Sequence, residues 1–296
     1  MTKIITIATR VSDLALRQTD IAIQELKIYF GDNVRFEILK IKTTGDLILD
    51  KNLYEIGGKS LFTKEIEEAL LKGDADIAVH SMKDVTAEFA QGLVFKSYLK
   101  REDPRDALVS KYKSLDDIPI GAKIGTSSSR RRLFVNQLRP DLELVTIRGN
   151  VPTRIRALEN GKVNAIILAV AGLKRLAIDE QLYTPLSTEQ FIPAICQGVI
   201  GLQSRVDFNF NDLIAKTSNK EAEITSNCER AFLKYFNADC KTPIAGFARI
   251  QANQLFFTGM YQNANKLPII ETAIGDILNP EDLAISVATK ISSCIY

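Results

Sequence analysis

Four side chains able to do chemistry fall within five residues: His80, Ser81, Lys83 and Asp84, the first being the chain's single histidine. They follow Ile77-Ala78-Val79, a short apolar run of the kind that makes a strand buried on both faces of a parallel sheet. In open α/β sheets ligands bind at the carboxyl ends of strands, and Asp84 is the group there suited to general acid or base work. The plainer readings are a polar surface turn and an aspartate engaged in a salt bridge or a helix cap. Ser81 and His80 do not make a nucleophile pair, because adjacent side chains on a strand point to opposite faces.

The basic residues gather where loops should open. Arg130, Arg131, Arg132, Arg148, Arg154 and Arg156 fall in one half of the chain, and Arg10 joins Lys83 in the other. Guanidinium forks bind carboxylate or phosphate bidentately, and two of these positions lie at expected helix N-termini. A solvated helix face accounts for any single arginine, and best for Arg132 and Arg156. Several at strand ends point to an anionic small ligand. A nucleic acid is disfavoured by a net charge of +2 and sparse aromatic interleaving. Gly57-Gly58-Lys59-Ser60 looks like the tail of a phosphate-binding loop, but the required first glycine falls at Leu53, so a loop over a cleft is the better reading. Among the cysteines, Cys240 stands on a loop beside Lys241, which favours thiolate. Cys228 and Cys294 read as small apolar residues.

The elements that must position these groups follow from periodicity. Ile4 to Ala8 predicts a strand, Ser12 a helix N-cap, and Leu14 to Phe30 an amphipathic helix. Val34 to Ile41 alternates as a strand, a loop spans Thr43 to Ser60, and Phe62 to Leu71 is helical up to Gly73. This β-α-β-α-β order implies a parallel, doubly wound sheet. The pattern restarts beyond Arg101-Glu102-Asp103-Pro104-Arg105-Asp106. Strands are expected at Ala107–Val109, Leu142–Ile147 and Ala165–Ala171, with a helix after Ser129 and another following the Arg148–Arg154 stretch to about Glu159. Ile192 to Gly198 returns the chain to the first unit, where Val199 to Val206 adds a strand and Phe208 to Lys216 a short helix. A helix at Glu221–Phe236, three turn-linked strands between Phe247 and Ile274, and a helix from Pro280 to about Cys294 then predict a small antiparallel α+β domain. The expected domains are 1–99 with 198–217, 103–193, and 219–296.

At 296 residues the chain has room for two or three cores, and its composition, 46% apolar and 25% charged, excludes wholesale disorder. The near-neutral charge supplies no field for nucleic acid or membrane surfaces. Met1 to Thr6 has no signal-peptide layout, and no apolar run approaches the roughly 20 residues of a spanning helix. Cys196, Cys228, Cys240 and Cys294 show no CxxC spacing, which disfavours a disulfide framework or a metal site. A soluble cytoplasmic protein is expected.

Together these motifs resemble the porphobilinogen deaminase (hydroxymethylbilane synthase) family. The likeness runs from Ile7-Ala8-Thr9-Arg10 through His80–Asp84, Arg101–Asp106, Gly125–Arg131, Arg148-Gly149-Asn150, Ala165–Arg175, Gln197-Gly198 and Glu229-Arg230-Ala231-Phe232 to Cys240 and Pro243-Ile244. It implies two periplasmic-binding-protein-like α/β domains flanking a cleft, plus a small α+β domain with a three-stranded antiparallel sheet. It implies a transferase that deaminates four porphobilinogen molecules and joins them into the linear tetrapyrrole hydroxymethylbilane, a step of haem biosynthesis. A dipyrromethane cofactor would be thioether-linked to Cys240, and Asp84 would be the catalytic carboxylate. Lys83, Ser81, Asp84, Thr126, Ser127, Ser128, Arg130, Arg131 and Gly172 match cofactor-binding positions. Arg10, Ser12, Arg148 and Arg154 match substrate-binding positions, and Arg175, Gln197 and Gly198 match substrate-binding cleft or hinge positions. A monomer is the family expectation. This chain departs from the family with Asn237-Ala238-Asp239 where glycines are common, Glu55 where lysine is common, and Cys196 where glycine precedes Gln-Gly. The last suggests an oxidation-sensitive thiol near the cleft. The competing class is a non-catalytic two-domain binder of a small anion, since the same architecture serves solute receptors; such a protein has no use for Cys240 or Asp84.

Overall fold

The computed structural model describes residues 3–32, 34–47, 60–238, 242–263 and 267–294. The first unit runs β1 (Lys3–Arg10), α1 (Asp13–Phe30), β2 (Val34–Ile41), a short α2 (Thr44–Leu47), α3 (Lys64–Lys72), β3 (Ile77–Ser81) and β4 (Leu93–Tyr98). The chain then crosses to β5 (Asp106–Val109), β6 (Lys123–Gly125), α4 (Ser129–Leu138), β7 (Glu143–Val145), α5 (Val151–Glu159), β8 (Ala165–Ala169), α6 (Val170–Arg175) and β9 (Tyr183–Pro185). It returns as β10 (Ile200–Arg205) and α7 (Asn211–Ala215), and closes with α8 (Lys220–Tyr235), β11 (Ile244–Gln251), β12 (Gln254–Tyr261), β13 (Ile269–Asp276) and α9 (Pro280–Ser293). No helix among the described residues is long and apolar enough to cross a membrane.

Three sheets result, in the orders β2-β1-β3-β10-β4, β7-β6-β8-β5-β9 and β11-β12-β13. The first two are built alike. Each sets its second strand at the edge, then its first and third, then the strand that arrives from the other unit, then its last. These sheets are mixed rather than parallel as the β-α-β order predicts. β10 runs antiparallel to β3 and β4, and β5 antiparallel to β8 and β9. The cause is the crossing itself. A strand entering from the neighbouring unit starts at the carboxyl edge of the resident strands and must run the opposite way. Hence Ile200 begins opposite Ser81, and Asp106 begins opposite Ala169. The third sheet is wholly antiparallel, as its turn-linked strands require.

Local signals mostly hold. Ser12 caps α1 by accepting from the Ala15 amide, and Asn150 caps α5 by accepting from Thr153. The apolar stretch expected as one strand over Ala165–Ala171 divides at Ala169, where α6 begins; an unbroken apolar run carries no period to mark the change. β4 and β9 are not foreseen by the sequence reading. The core that joins Phe232, Phe257, Leu283 and Val287 of the third unit also takes in Met82, Val85, Cys196 and Val199. The third unit therefore packs directly beneath the turn that carries Asp84.

Candidate active site

β3 is buried along its first four residues and leads into a single 3₁₀ turn, Met82–Asp84. Met82 turns inward, almost wholly buried, over the backbone of β10. Gly201 makes room for it, since a Cβ there would lie 2.1 Å from the Met82 sulfur. The Met82 amide donates to the Val199 carbonyl at 3.0 Å. With Met82 pinned, Lys83 and Asp84 are presented outward.

Asp84 is half-buried, and its Oδ2 lies 3.4 Å from Nη1 of Arg10. Arg10 also grips Asp46 of α2, with Nη2 to Oδ1 at 2.5 Å and Nε to Oδ2 at 3.3 Å, and lies over the Phe62 ring at 4.3 Å. Burial works to lower the Arg10 pKa, but the Asp46 hydrogen bond and the charges of Asp84 and Asp46 raise it on balance. Arg10, Ser12, Phe62, His80, Ser81, Lys83 and Asp84 line one cavity of about 60 Å³. The Lys83 side chain keeps contact with solvent but is crowded by both units, which strip part of its hydration, and its pKa is pushed down to about 8. Desolvation is the main cause and Arg131 the next, with Asp84 and Asp106 opposing.

Across the cleft, Arg130 and Arg131 of α4 are buried around one carboxylate. Asp106 lies 2.7 Å from Arg130 Nη2 and 2.7 Å from Arg131 Nη2. Arg130 and Arg131 also donate to the carbonyls of Ile192 and Ile167. Burial would raise the Asp106 pKa, but the two guanidiniums hold it well below the usual carboxylate range. Gln197 completes a bridge between the units: its amide nitrogen donates to Asp106 at 3.0 Å, and its oxygen accepts from Lys83 Nζ at 3.4 Å. The two arginines thus share a resident carboxylate, whereas the sequence presents them only as ligands for an outside anion. Thr126 Oγ1 accepts from the Ser128 amide, and Ser128 caps α4 through the Arg131 amide. Ser127 is half-buried beside them.

Arg148 and Arg154 flank the start of α5. Arg154 Nε donates to the Gly149 carbonyl at 2.9 Å. Its pKa is pulled down to about 10, by burial first and then by Arg131 and Arg148, with Asp84 opposing. Arg175 donates to the Gly198 carbonyl at 2.7 Å, on the returning crossover. Gly198 has φ +93°, and a Cβ there would meet the Glu102 carbonyl oxygen at 2.3 Å, so the two crossovers touch at a position only glycine fills. Gly172 of α6 faces Leu14 of α1. Cys240 lies outside the described residues, as do Asp239, Lys241, Glu55 and Gly57–Lys59. A larger cavity of about 450 Å³, lined by Lys64, Glu67, Glu68, Glu88 and Asn237, contains none of these cations. Its acidic wall does not suit a carboxylated ligand.

One expectation changes, and His80 takes a structural place. Cys196 is fully buried and burial pushes its thiol up to about 12, so it is not the oxidation-sensitive thiolate its position suggests. His80 is buried with its ring nitrogen 2.9 Å from Gln203, and desolvation lowers its pKa to about 4. The folded protein therefore binds this proton less readily than the unfolded chain, whose histidine titrates near 6.5. Stability from burying the neutral ring is complete above that value and is lost as pH falls from 6.5 towards 4, by up to about 3 kcal/mol. Urea unfolding at pH 7 and pH 5 should show a steeper loss for the parent than for His80→Gln; equal losses would contradict this.

Asp46, Asp106 and Gln203 escape the sequence reading, because each earns its place through partners far along the chain. The family comparisons agree with the geometry. The description "Porphobilinogen deaminase, dipyromethane cofactor binding domain" matches residues 5–210, and "Porphobilinogen deaminase, C-terminal domain" matches residues 223–293. The chain belongs to the porphobilinogen deaminase family. Porphobilinogen deaminase from Geotalea daltonii is 43% identical over 290 residues, covering 96% of this chain and 90% of the relative. The one from Acetivibrio thermocellus is 41% identical over 287 residues, covering 97% of each. A solved VFT2 domain of Bordetella pertussis BvgS aligns with 79% of this chain and 93% of its own at 16% identity and a TM-score of 0.44.

The cofactor-binding domain of porphobilinogen deaminase thus spans both the Asp84 turn and the arginine helices. A dipyrromethane, with its several carboxylates, fits what the site shows. Lys83 and Arg154 both titrate below their ordinary values, each through desolvation by the surrounding protein and then the nearby charge of Arg131. An anionic ligand beside them would stabilise both charges.

Proposed function

We propose that the chain is a transferase that deaminates four porphobilinogen molecules and joins them head to tail into hydroxymethylbilane, on a dipyrromethane primer attached through Cys240. The observation that carries this reading is the placement of Asp84. Its carboxylate stands 3.4 Å from Arg10 and is within electrostatic reach of Lys83 and Arg154 from both sides of the cleft. Bound dipyrromethane supplies a nucleophilic pyrrole α-carbon held in the cleft.

Arg10, Ser12, Arg148 and Arg154 take the acetate and propionate of incoming porphobilinogen, and bidentate contacts fix its ring. Its aminomethyl carbon then loses ammonia, which leaves an azafulvene cation. Asp84 stabilises that positive charge in place. Asp84 would also be the base that takes up the proton released in the condensation. Ser81, Lys83, Thr126, Ser127, Ser128, Arg130 and Arg131 would hold the primer's carboxylates, with Gly172 near them. Asp106 pairs with both arginines, and Gln197 links Asp106 to Lys83. Arg175 and Gly198 act through the crossover.

We assign the aspartate to residues 1–99 with 198–217, the carboxylate-binding arginines to 103–193, and the primer cysteine to 219–296. Action as a monomer in the cytoplasm is carried over from the family. A binding-only role is not favoured, since it gives Asp84 no task. Intact mass tests the reading. The purified protein should weigh more than its polypeptide by one dipyrrole, and Cys240→Ser should lose that mass and all turnover. A Cys240→Ser protein that retained the adduct would move the attachment elsewhere.

A further inference from the structure

Eight residues separate Asp84 from Leu93, the start of β4, and they form no regular helix or strand. Two sets of buried contacts hold this segment. From its own unit, the amide of Ala90 donates to Glu67 Oε2 at 3.1 Å, and Gln203 Nε2 donates to Glu67 Oε1 at 3.2 Å. Since the Gln203 nitrogen faces Glu67, its oxygen faces His80 at 2.9 Å and accepts from the imidazole as the Nε2–H tautomer. His80, Gln203 and Glu67 are all buried. They tie the strand before Asp84 to the loop after it.

The second hold comes from the third unit. Arg230 of α8 reaches across, and its Nη2 donates to the carbonyls of Thr86 at 3.1 Å and Ala87 at 3.3 Å. Its Nη1 is buried and has no hydrogen-bond acceptor among the described residues. The guanidinium carbon lies 5.8 Å from the centroids of both Phe89 and Phe95, so the charge rests against two ring faces instead. Phe95 in turn packs edge-on against His80, which joins the two holds into one cluster. Burial raises the Glu67 pKa while the Ala90 amide, Gln203 and Arg230 oppose the rise, consistent with the same contacts.

We propose that Arg230 and Glu67 are positioning residues for Asp84, with Arg230 setting the catalytic turn against the unit that bears the primer. α8 ends at Tyr235, five residues before Cys240. One side chain therefore connects the helix leading to the attachment point with the loop leaving the reacting carboxylate. This inference rests on the roles given above to Asp84 and Cys240.

Arg230→Met keeps the apolar stem over the rings and removes the donors. Its kcat should fall on the order of 10- to 100-fold, the scale of a catalytic group displaced by about 1 Å. KM for porphobilinogen should stay within about threefold, because the anion-binding arginines are untouched. Intact mass should still show the dipyrrole. Arg230→Lys, which retains one cationic donor for the two carbonyls, should recover much of the loss. Glu67→Gln is the second variant, keeping an acceptor for the Ala90 amide, and should cost less than Glu67→Leu. Parental kcat in Arg230→Met would overturn the proposal. So would a rate loss that merely tracks the fraction of unfolded or unloaded protein, with no rescue by lysine. Failure of the underlying function would show in the parent as missing adduct and missing turnover, whereas failure of this inference shows only in the variants.

Discussion

Asp84→Ala should fold as the parent does and lose on the order of 10⁴-fold in kcat. The side chain is half-buried on a turn fixed by the Met82 amide bonded to the Val199 carbonyl, a contact in which the carboxylate takes no part. Its partner Arg10 keeps both contacts to Asp46 and its seat over Phe62. Removing a partly exposed ion pair whose cation retains another anion costs at most about 1 kcal/mol. The catalytic loss is larger because one carboxylate serves twice, first opposite the cation formed as ammonia leaves and then as proton acceptor. Asp84→Glu keeps the charge but moves it by about 1 Å, enough to lose on the order of 10²-fold while leaving measurable turnover. Steady-state formation of hydroxymethylbilane, read beside a melting curve, checks both variants. An Asp84→Ala rate within about tenfold of the parent would remove this residue from the mechanism.

The division between what was legible in the sequence and what was not follows the range of the interactions. Asp84 can be read because its strand, its turn and its basic neighbour lie within a few residues, where period and side-chain chemistry act. The same holds for the α4 and α5 N-termini, whose caps sit beside the arginines they present. Asp106 is different. It occurs in a charged crossover and becomes meaningful only when β5 brings it beneath α4, where it neutralises one of two adjacent guanidiniums. Asp46 likewise needs α2 folded back onto β1. The antiparallel course of β10 and β5 is invisible to periodicity, since it depends on which unit the chain leaves and which edge it enters. His80 is the converse case. Rarity draws attention to it, while burial and Gln203 give it a structural place.

Glu229 carries a large expected stability effect. It lies on α8, is fully buried, and its carboxylate accepts from four donors on three segments. Arg101 gives Nη1 at 2.6 Å and Nη2 at 3.3 Å, from the outgoing crossover. The Cys196 amide gives 2.5 Å, from the returning crossover, and the Ala248 amide gives 2.8 Å, from β11. Arg101 also holds the Gln197 carbonyl at 2.9 Å, so both passages between the first two units are fastened to the third at one point. Glu229→Ala leaves a largely buried guanidinium without a counter-charge and two buried amides without acceptors. Breaking one side of such a pair costs about 3–5 kcal/mol, and each orphaned amide adds about 1 kcal/mol or more. Glu229→Ala should therefore melt on the order of 10 °C below the parent. Glu229→Gln, which keeps an acceptor oxygen, should fall between. Arg101→Ala strands the buried carboxylate instead, so the double variant should lose less than the sum of the two singles. A Glu229→Ala protein melting within about 2 °C of the parent would mean that the crossovers are held by apolar packing alone. In that case the apolar contacts of Met82, Val85 and Val199 with the third unit, rather than the shared carboxylate, would keep Gln197 between Lys83 and Asp106 and so hold the cleft in register.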